Sequence, residues 1–144
     1  MSTSELKQRK AAERAWASMR VFVETNSAKG PLRERLGLGM GEGRIKVLLL
    51  LAKGPMSLSE IAEAHGVDPP YATIIVDKLE SVGLVERAPC ADDRRRKLVS
   101  LTPAGREAVR IAKEALAAPP PALSKLSSVE LDQLDALLTH LLSI

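Results

Sequence analysis

Apolar residues recur at two different periods along this chain, and the switch between them divides it. From residue 4 to about residue 27, Ala12, Trp16, Met19 and Val23 follow one another at steps of four, three and four, with Ala15 and Phe22 beside them. That is the stripe of an amphipathic helix. Residues 37–43 hold four glycines around Leu38, Met40 and Glu42, a composition that breaks helices and predicts a loop. Residues 44–52 are apolar almost all round, which predicts a second helix sunk in a core and stopped by Gly54-Pro55. Ser57-Leu58-Ser59-Glu60 has the spacing of a capping box and opens a third helix, short because His65-Gly66 ends it. Asp68 then offers an N-cap and Pro69 a first helical position, so a fourth helix runs to about Val82 and ends at Gly83.

Beyond Gly83 the period drops to that of strands. Leu84-Val85-Glu86-Arg87-Ala88 and Lys97-Leu98-Val99-Ser100-Leu101 read as two strands, with polar residues 89–96 as the tip of a hairpin. Thr102-Pro103 caps a fifth helix lasting to Ala118, where Pro119-Pro120-Pro121 must end it. A second capping box, Ser127-Ser128-Val129-Glu130, starts a last helix with Leu131, Leu134, Leu138 and Leu141 in a stripe that Leu137 and Leu142 widen. The pattern predicts a mostly α (α+β) fold, and 144 residues suit a single domain over 1–144.

Composition narrows the function classes. Trp16, Phe22 and Tyr71 are the whole aromatic set, so the core must be aliphatic. Cys90 is the only cysteine, which rules out an internal disulfide framework and suits a reducing cytoplasm. The longest apolar run, residues 47–52, falls far short of the roughly 20 residues that span a bilayer, and the first residues lack an apolar signal core. A cytoplasmic location without membrane attachment is expected. His65, His140 and Cys90 stand apart, so neither a metal nor another cofactor is expected. No phosphate-binding glycine loop, nucleophile elbow or paired nucleophile and base is present, so no catalytic residue is assigned. The formal net charge of +3 says little by itself; where the cations sit says more.

Residues 57–102 carry the informative constellation: a short helix, a tight turn through Gly66, a longer helix and a hairpin. This is the build of a winged helix-turn-helix, whose second helix is free to enter a major groove while the hairpin flanks it. On that second helix Ala72, Ile75, Val76 and Leu79 share one face, and Pro70, Tyr71, Thr73, Ile74, Asp77 and Lys78 lie opposite. Tyr71 and Ile74 are large apolar surfaces where a merely solvated helix would carry charge; thymine methyl groups accept such contact. The hairpin tip reads Asp92-Asp93-Arg94-Arg95-Arg96-Lys97. Cation runs are commonly plain solvated surface. Beside this helix pair they instead suit phosphates or a narrow minor groove. Ser57, Pro70, Tyr71, Thr73, Ile74, Lys78, Asp93, Arg94, Arg95, Arg96 and Lys97 are therefore the candidate DNA-binding residues. A protein-binding adaptor on the same fold is the alternative, but an adaptor has no need of four consecutive cations.

The motifs Ser57-Leu58-Ser59-Glu60-Ile61-Ala62, Val76-Asp77-Lys78-Leu79-Glu80-Ser81-Val82-Gly83-Leu84-Val85 and Asp93-Arg94-Arg95-Arg96-Lys97-Leu98-Val99-Ser100-Leu101-Thr102 make the chain resemble MarR-family transcriptional regulators over nearly its full length. The last is the most specific, with Asp93 and Arg95 falling on the family's Asp-x-Arg wing motif. The resemblance implies a sequence-specific DNA-binding regulator, acting as a repressor on a pseudo-palindromic operator and relieved by a small lipophilic or phenolic ligand. It implies that Arg95 enters the minor groove with Asp93 orienting it. It also implies a DNA-binding part at 44–102 and a homodimer whose dimerisation helices come from 4–36 and 103–144, with Leu131, Leu134, Leu138 and Leu141 at the interface. Trp16, Met19, Met40 and Val47 become candidate walls of a ligand pocket, although each reads equally as core packing. The chain departs from the family at Pro70, Tyr71 and Ile74, where a Ser or Thr and an Arg are more usual, which shifts readout toward shape and thymine contacts.

Overall fold

A computed structural model describes residues 1–39 and 43–143 of the chain. In order the elements are α1 (Thr3–Thr25), α2 (Lys29–Arg35), α3 (Arg44–Leu51), α4 (Leu58–His65), α5 (Pro69–Ser81), β1 (Val85–Pro89), β2 (Lys97–Leu101), α6 (Pro103–Ala117), a 3-10 turn (Pro121–Lys125) and α7 (Ser128–Leu142). The fold is mostly helical with one two-stranded antiparallel sheet, as the apolar periods predict. Capping decides where helices begin. Ser57 and Ser127 each accept a hydrogen bond from the backbone N–H three residues on, and the Glu at that position accepts one from the serine N–H. Ser2 and Glu5 close the same box on α1.

Two elements were not legible from the pattern. Helix α2 begins Lys29-Gly30-Pro31, a sequence that signals a turn. Its glycine and proline both sit in the first turn, where the backbone N–H groups have no helical partner to lose, so the helix survives and buries Leu32. The prolines after α6 end it as expected, but Pro121 then opens the 3-10 turn, its fixed φ suiting a first helical position.

The chain divides into two compact units: Met1–Ser27 with Ala118–Ile144, and Ala28–Ala117. Helix α6 falls in the same compact unit as the helix-turn-helix. In the central unit a single aliphatic core joins Leu38, Val47 and Leu48 to Ile61, Ile75, Val76, Leu79 and Val99. Each such residue, fully buried, contributes roughly 1.5–3 kcal/mol of transfer free energy. Gly105 marks how tightly α6 lies on this core, since a Cβ there would run into the Leu84 carbonyl oxygen. The terminal unit behaves differently: α1 and α7 contain no buried residue.

Candidate nucleic-acid interface

Everything in the site hangs on α5. Asp68 caps it by accepting the Tyr71 N–H at 2.8 Å, and Gly66, at φ +79°, makes the left-handed turn that joins it to α4. Ala72, Ile75, Val76 and Leu79 are buried, so the opposite face is fixed outward by packing. On that face Ile74 is 58% exposed and Tyr71 38% exposed, with Pro70 and Asp77 also exposed and Thr73 and Lys78 half-buried.

The wing is held against this helix by ion pairs that the sequence reading missed. Arg87, on β1 and only 19% exposed, donates to Asp77 at 2.6 Å and to Glu80 at 2.8 Å, both one turn apart on α5. Arg96, in the wing, pairs with Glu60 in the first turn of α4. Backbone bonds between Met56 and Val99, at 3.0 and 2.7 Å, add the chain just before α4 to the edge of β2. Asp77 and Glu80 share a helix face at i, i+3, a signal that could have pointed to a basic partner. Nothing local could have singled out Glu60 for Arg96.

At the tip, the Asp93 carboxylate accepts the Arg95 backbone N–H at 3.0 Å, and the Asp93 carbonyl accepts the Arg96 N–H at 3.1 Å. The Cys90 N–H donates to the Arg96 carbonyl at 2.7 Å, closing the loop. Asp93 thus shapes the backbone that projects Arg95. Among the described residues Arg94, Arg95 and Lys97 are exposed and their side chains have no carboxylate partner, whereas Arg96 is committed to Glu60. A concave surface of about 460 Å³ brings Ser57 and Ser59 at the start of α4 together with Arg87, Arg95, Arg96 and Lys97. The Glu60 carboxyl is held below the usual carboxylate range, chiefly by the Ser57 backbone N–H and hydroxyl and then by Arg96.

Residues 43–97, from the start of α3 to the start of β2, match the MarR family. Over that segment the chain is similar to MarR-family proteins. It is 37% identical over 81 residues to the uncharacterized HTH-type transcriptional regulator YfiV of Bacillus subtilis, a stretch that is 56% of this chain and 51% of that protein. The chain thus spans about half the length of this curated relative. Its fold is similar to that of the YusO protein from B. subtilis, with a TM-score of 0.69, 26% identity and 99% of each chain covered. It is similar also to apo MarR from Escherichia coli, with a TM-score of 0.62 and 23% identity over 87% of this chain and 96% of that one, a likeness of fold.

Ser57, Arg95, Arg96 and Lys97 converge on the concave surface, Pro70, Tyr71, Thr73, Ile74 and Lys78 belong to the outward side of α5, and Asp93 and Arg94 form the wing tip. Of the four residues assigned to a ligand pocket, Val47 is fully buried in the central core. Trp16 and Met19 are exposed on α1, and Met40 lies outside the described residues. Leu131 and Leu134 are half-buried and Leu138 and Leu141 exposed, leaving the α7 stripe without a partner that buries it. No helix among the described residues is long and apolar enough to cross a membrane, and none of their His, Cys, Asp and Glu side chains gather into a metal-binding group.

Proposed function

We propose that this chain is a sequence-specific DNA-binding transcriptional regulator that works as a homodimer. The observation that carries the reading is the division of labour among the wing cations. Arg87 and Arg96 are spent on ion pairs that fix the wing against α4 and α5, while Arg94, Arg95 and Lys97 are left exposed beside an outward-facing helix. Free cations on a pre-set hairpin are what phosphates and a narrow minor groove attract, and the first-turn N–H groups of α4 add a favourable dipole for a backbone phosphate. Helix α5 enters the major groove with Tyr71, Ile74 and Lys78 leading, and Arg95 enters the adjoining minor groove.

The exposed apolar residues of α1 and α7 support the homodimer, which sets two α5 helices one turn of DNA apart on a pseudo-palindromic operator. Repression, its relief by a small lipophilic or phenolic ligand and residence in the cytoplasm rest on the family resemblance alone. A titration followed by fluorescence anisotropy, of the protein against its own upstream intergenic DNA and an unrelated duplex at two salt concentrations, tests the reading. The upstream duplex binds at least about a thousandfold more tightly, and salt weakens both. Weak and equal binding to both duplexes at both salts contradicts it and favours the protein-binding adaptor.

A further inference from the structure

We infer that Ile74 reads thymine methyl groups in the major groove, so that the operator half-site is specified at this point by an apolar contact and not by hydrogen bonds. The inference rests on the DNA-binding reading above. The start of a recognition helix ordinarily offers base edges and phosphates its free N–H groups and short polar side chains. Here most of that supply is already used. Pro69 and Pro70 have no N–H, and the Tyr71 N–H is already given to the Asp68 carboxylate at 2.8 Å. The Thr73 hydroxyl donates to the Pro69 carbonyl at 3.0 Å, one turn back on its own helix, which spends its proton. Asp77, further along the same side, is held by Arg87. Beside the Tyr71 ring and the Lys78 ammonium, what faces a partner is the Ile74 side chain, 58% exposed on a helix whose other branched aliphatics are buried.

The major-groove edges of the four base pairs present donors, acceptors and one apolar group, the C5 methyl of thymine. An isoleucine that made no apolar contact there would bury hydrocarbon against polar edges and leave their hydrogen-bonding groups unmet. Covering a thymine methyl removes apolar area on both sides from water. At roughly 0.8 kcal/mol for a methyl-sized group the preference is about fourfold per contact, and about fifteenfold for the two symmetry-related contacts of a dimer. Lys78, one turn beyond Ile74, supplies charge without a fixed hydrogen-bonding geometry, so it adds affinity rather than a competing base choice.

The test begins with selection of bound duplexes from a random pool by the full-length protein. The thymines of the selected half-site are then replaced one at a time by deoxyuridine, which removes only the methyl group. The expected result is one position per half-site where the replacement weakens binding about fourfold. Ile74→Ala then binds the thymine and uracil duplexes alike, near the wild-type affinity for uracil, while Arg95→Ala keeps the discrimination at lower affinity. Because Ile74 is exposed, the variant's thermal melt checks that its fold is retained, and the wild-type uracil scan needs no variant at all. Selection of a defined sequence in which no uracil replacement changes affinity overturns the inference and leaves DNA binding standing. Failure to select any sequence overturns both, and the flat anisotropy titration identifies that case.

Discussion

The central unit and the terminal unit of this chain solve the same problem in opposite ways. Between Leu32 and Ala112 the central unit gathers every buried apolar residue among the described ones into one core, and the large apolar side chains it exposes are Tyr71 and Ile74 on α5 and Leu116 at the end of α6. The terminal unit exposes Trp16, Val21, Val23, Val129, Leu137, Leu141 and Leu142, and no residue of α1 or α7 is buried. A helix with so much exposed hydrocarbon needs a partner, whereas a closed core with two exposed apolar residues on one helix face has a binding surface. The proposed function assigns the terminal unit to assembly with a second copy and the central unit to DNA, and the following substitutions test that contrast.

The largest effect falls on the terminal unit. Deleting residues 123–144 removes α7 and leaves a monomer by sedimentation velocity; a truncated protein that still sediments as a dimer takes this helix out of the interface. In the central unit Leu48→Ala opens a cavity at a fully buried position and lowers the unfolding free energy by about 2–5 kcal/mol in a denaturant titration. Lys7→Ala, at an exposed polar position of α1, changes it by less than about 0.5 kcal/mol, and a loss there equal to that at Leu48 would erase the distinction between the units.

Smaller effects separate the two kinds of wing cation. Arg95→Ala weakens binding to the upstream duplex by roughly 1–3 kcal/mol, about 5- to 150-fold, while Lys7→Ala on α1 leaves it unchanged in the same anisotropy titration. Arg96→Ala acts through the wing's attachment to Glu60 and weakens binding less than Arg95→Ala does. Reversal of that order would give the DNA contact to Arg96.

The smallest effect is a pH dependence. The Glu60 carboxyl is held below its ordinary range in the folded chain, first by the Ser57 N–H and hydroxyl, so it binds a proton more weakly folded than unfolded. Its stabilisation is therefore present above the ordinary carboxylate range and is lost as pH falls through the lowered value. The melting temperature of wild type exceeds that of Glu60→Gln at pH 7, and the two converge in acid. A difference that persists unchanged at pH 3 would show that charge on Glu60 is not what holds the turn.

How much of this was legible in the sequence follows from what each feature depends on. The capping boxes at Ser57 and Ser127 and the cap at Asp68 stood out because caps are satisfied within four residues. The inward face of α5 followed from helical spacing alone. Helix α2 was hidden by Gly30-Pro31, which mean a turn unless they fall in a first helical turn, a register the sequence does not announce. The pairs Arg87 with Asp77 and Glu80, and Arg96 with Glu60, join elements that only tertiary packing brings together, the last across 36 positions of chain. A run of four cations therefore read as one surface, when the fold sorts it into a tether and free groups.

The account stands on two chains gripping one duplex, and sedimentation velocity of the protein mixed with its upstream DNA, with absorbance separating the two components, measures that directly. The prediction is a single complex of two protein chains per duplex, absent with unrelated DNA of equal length at the same salt. One chain per duplex, or co-sedimentation with both DNAs alike, would contradict it.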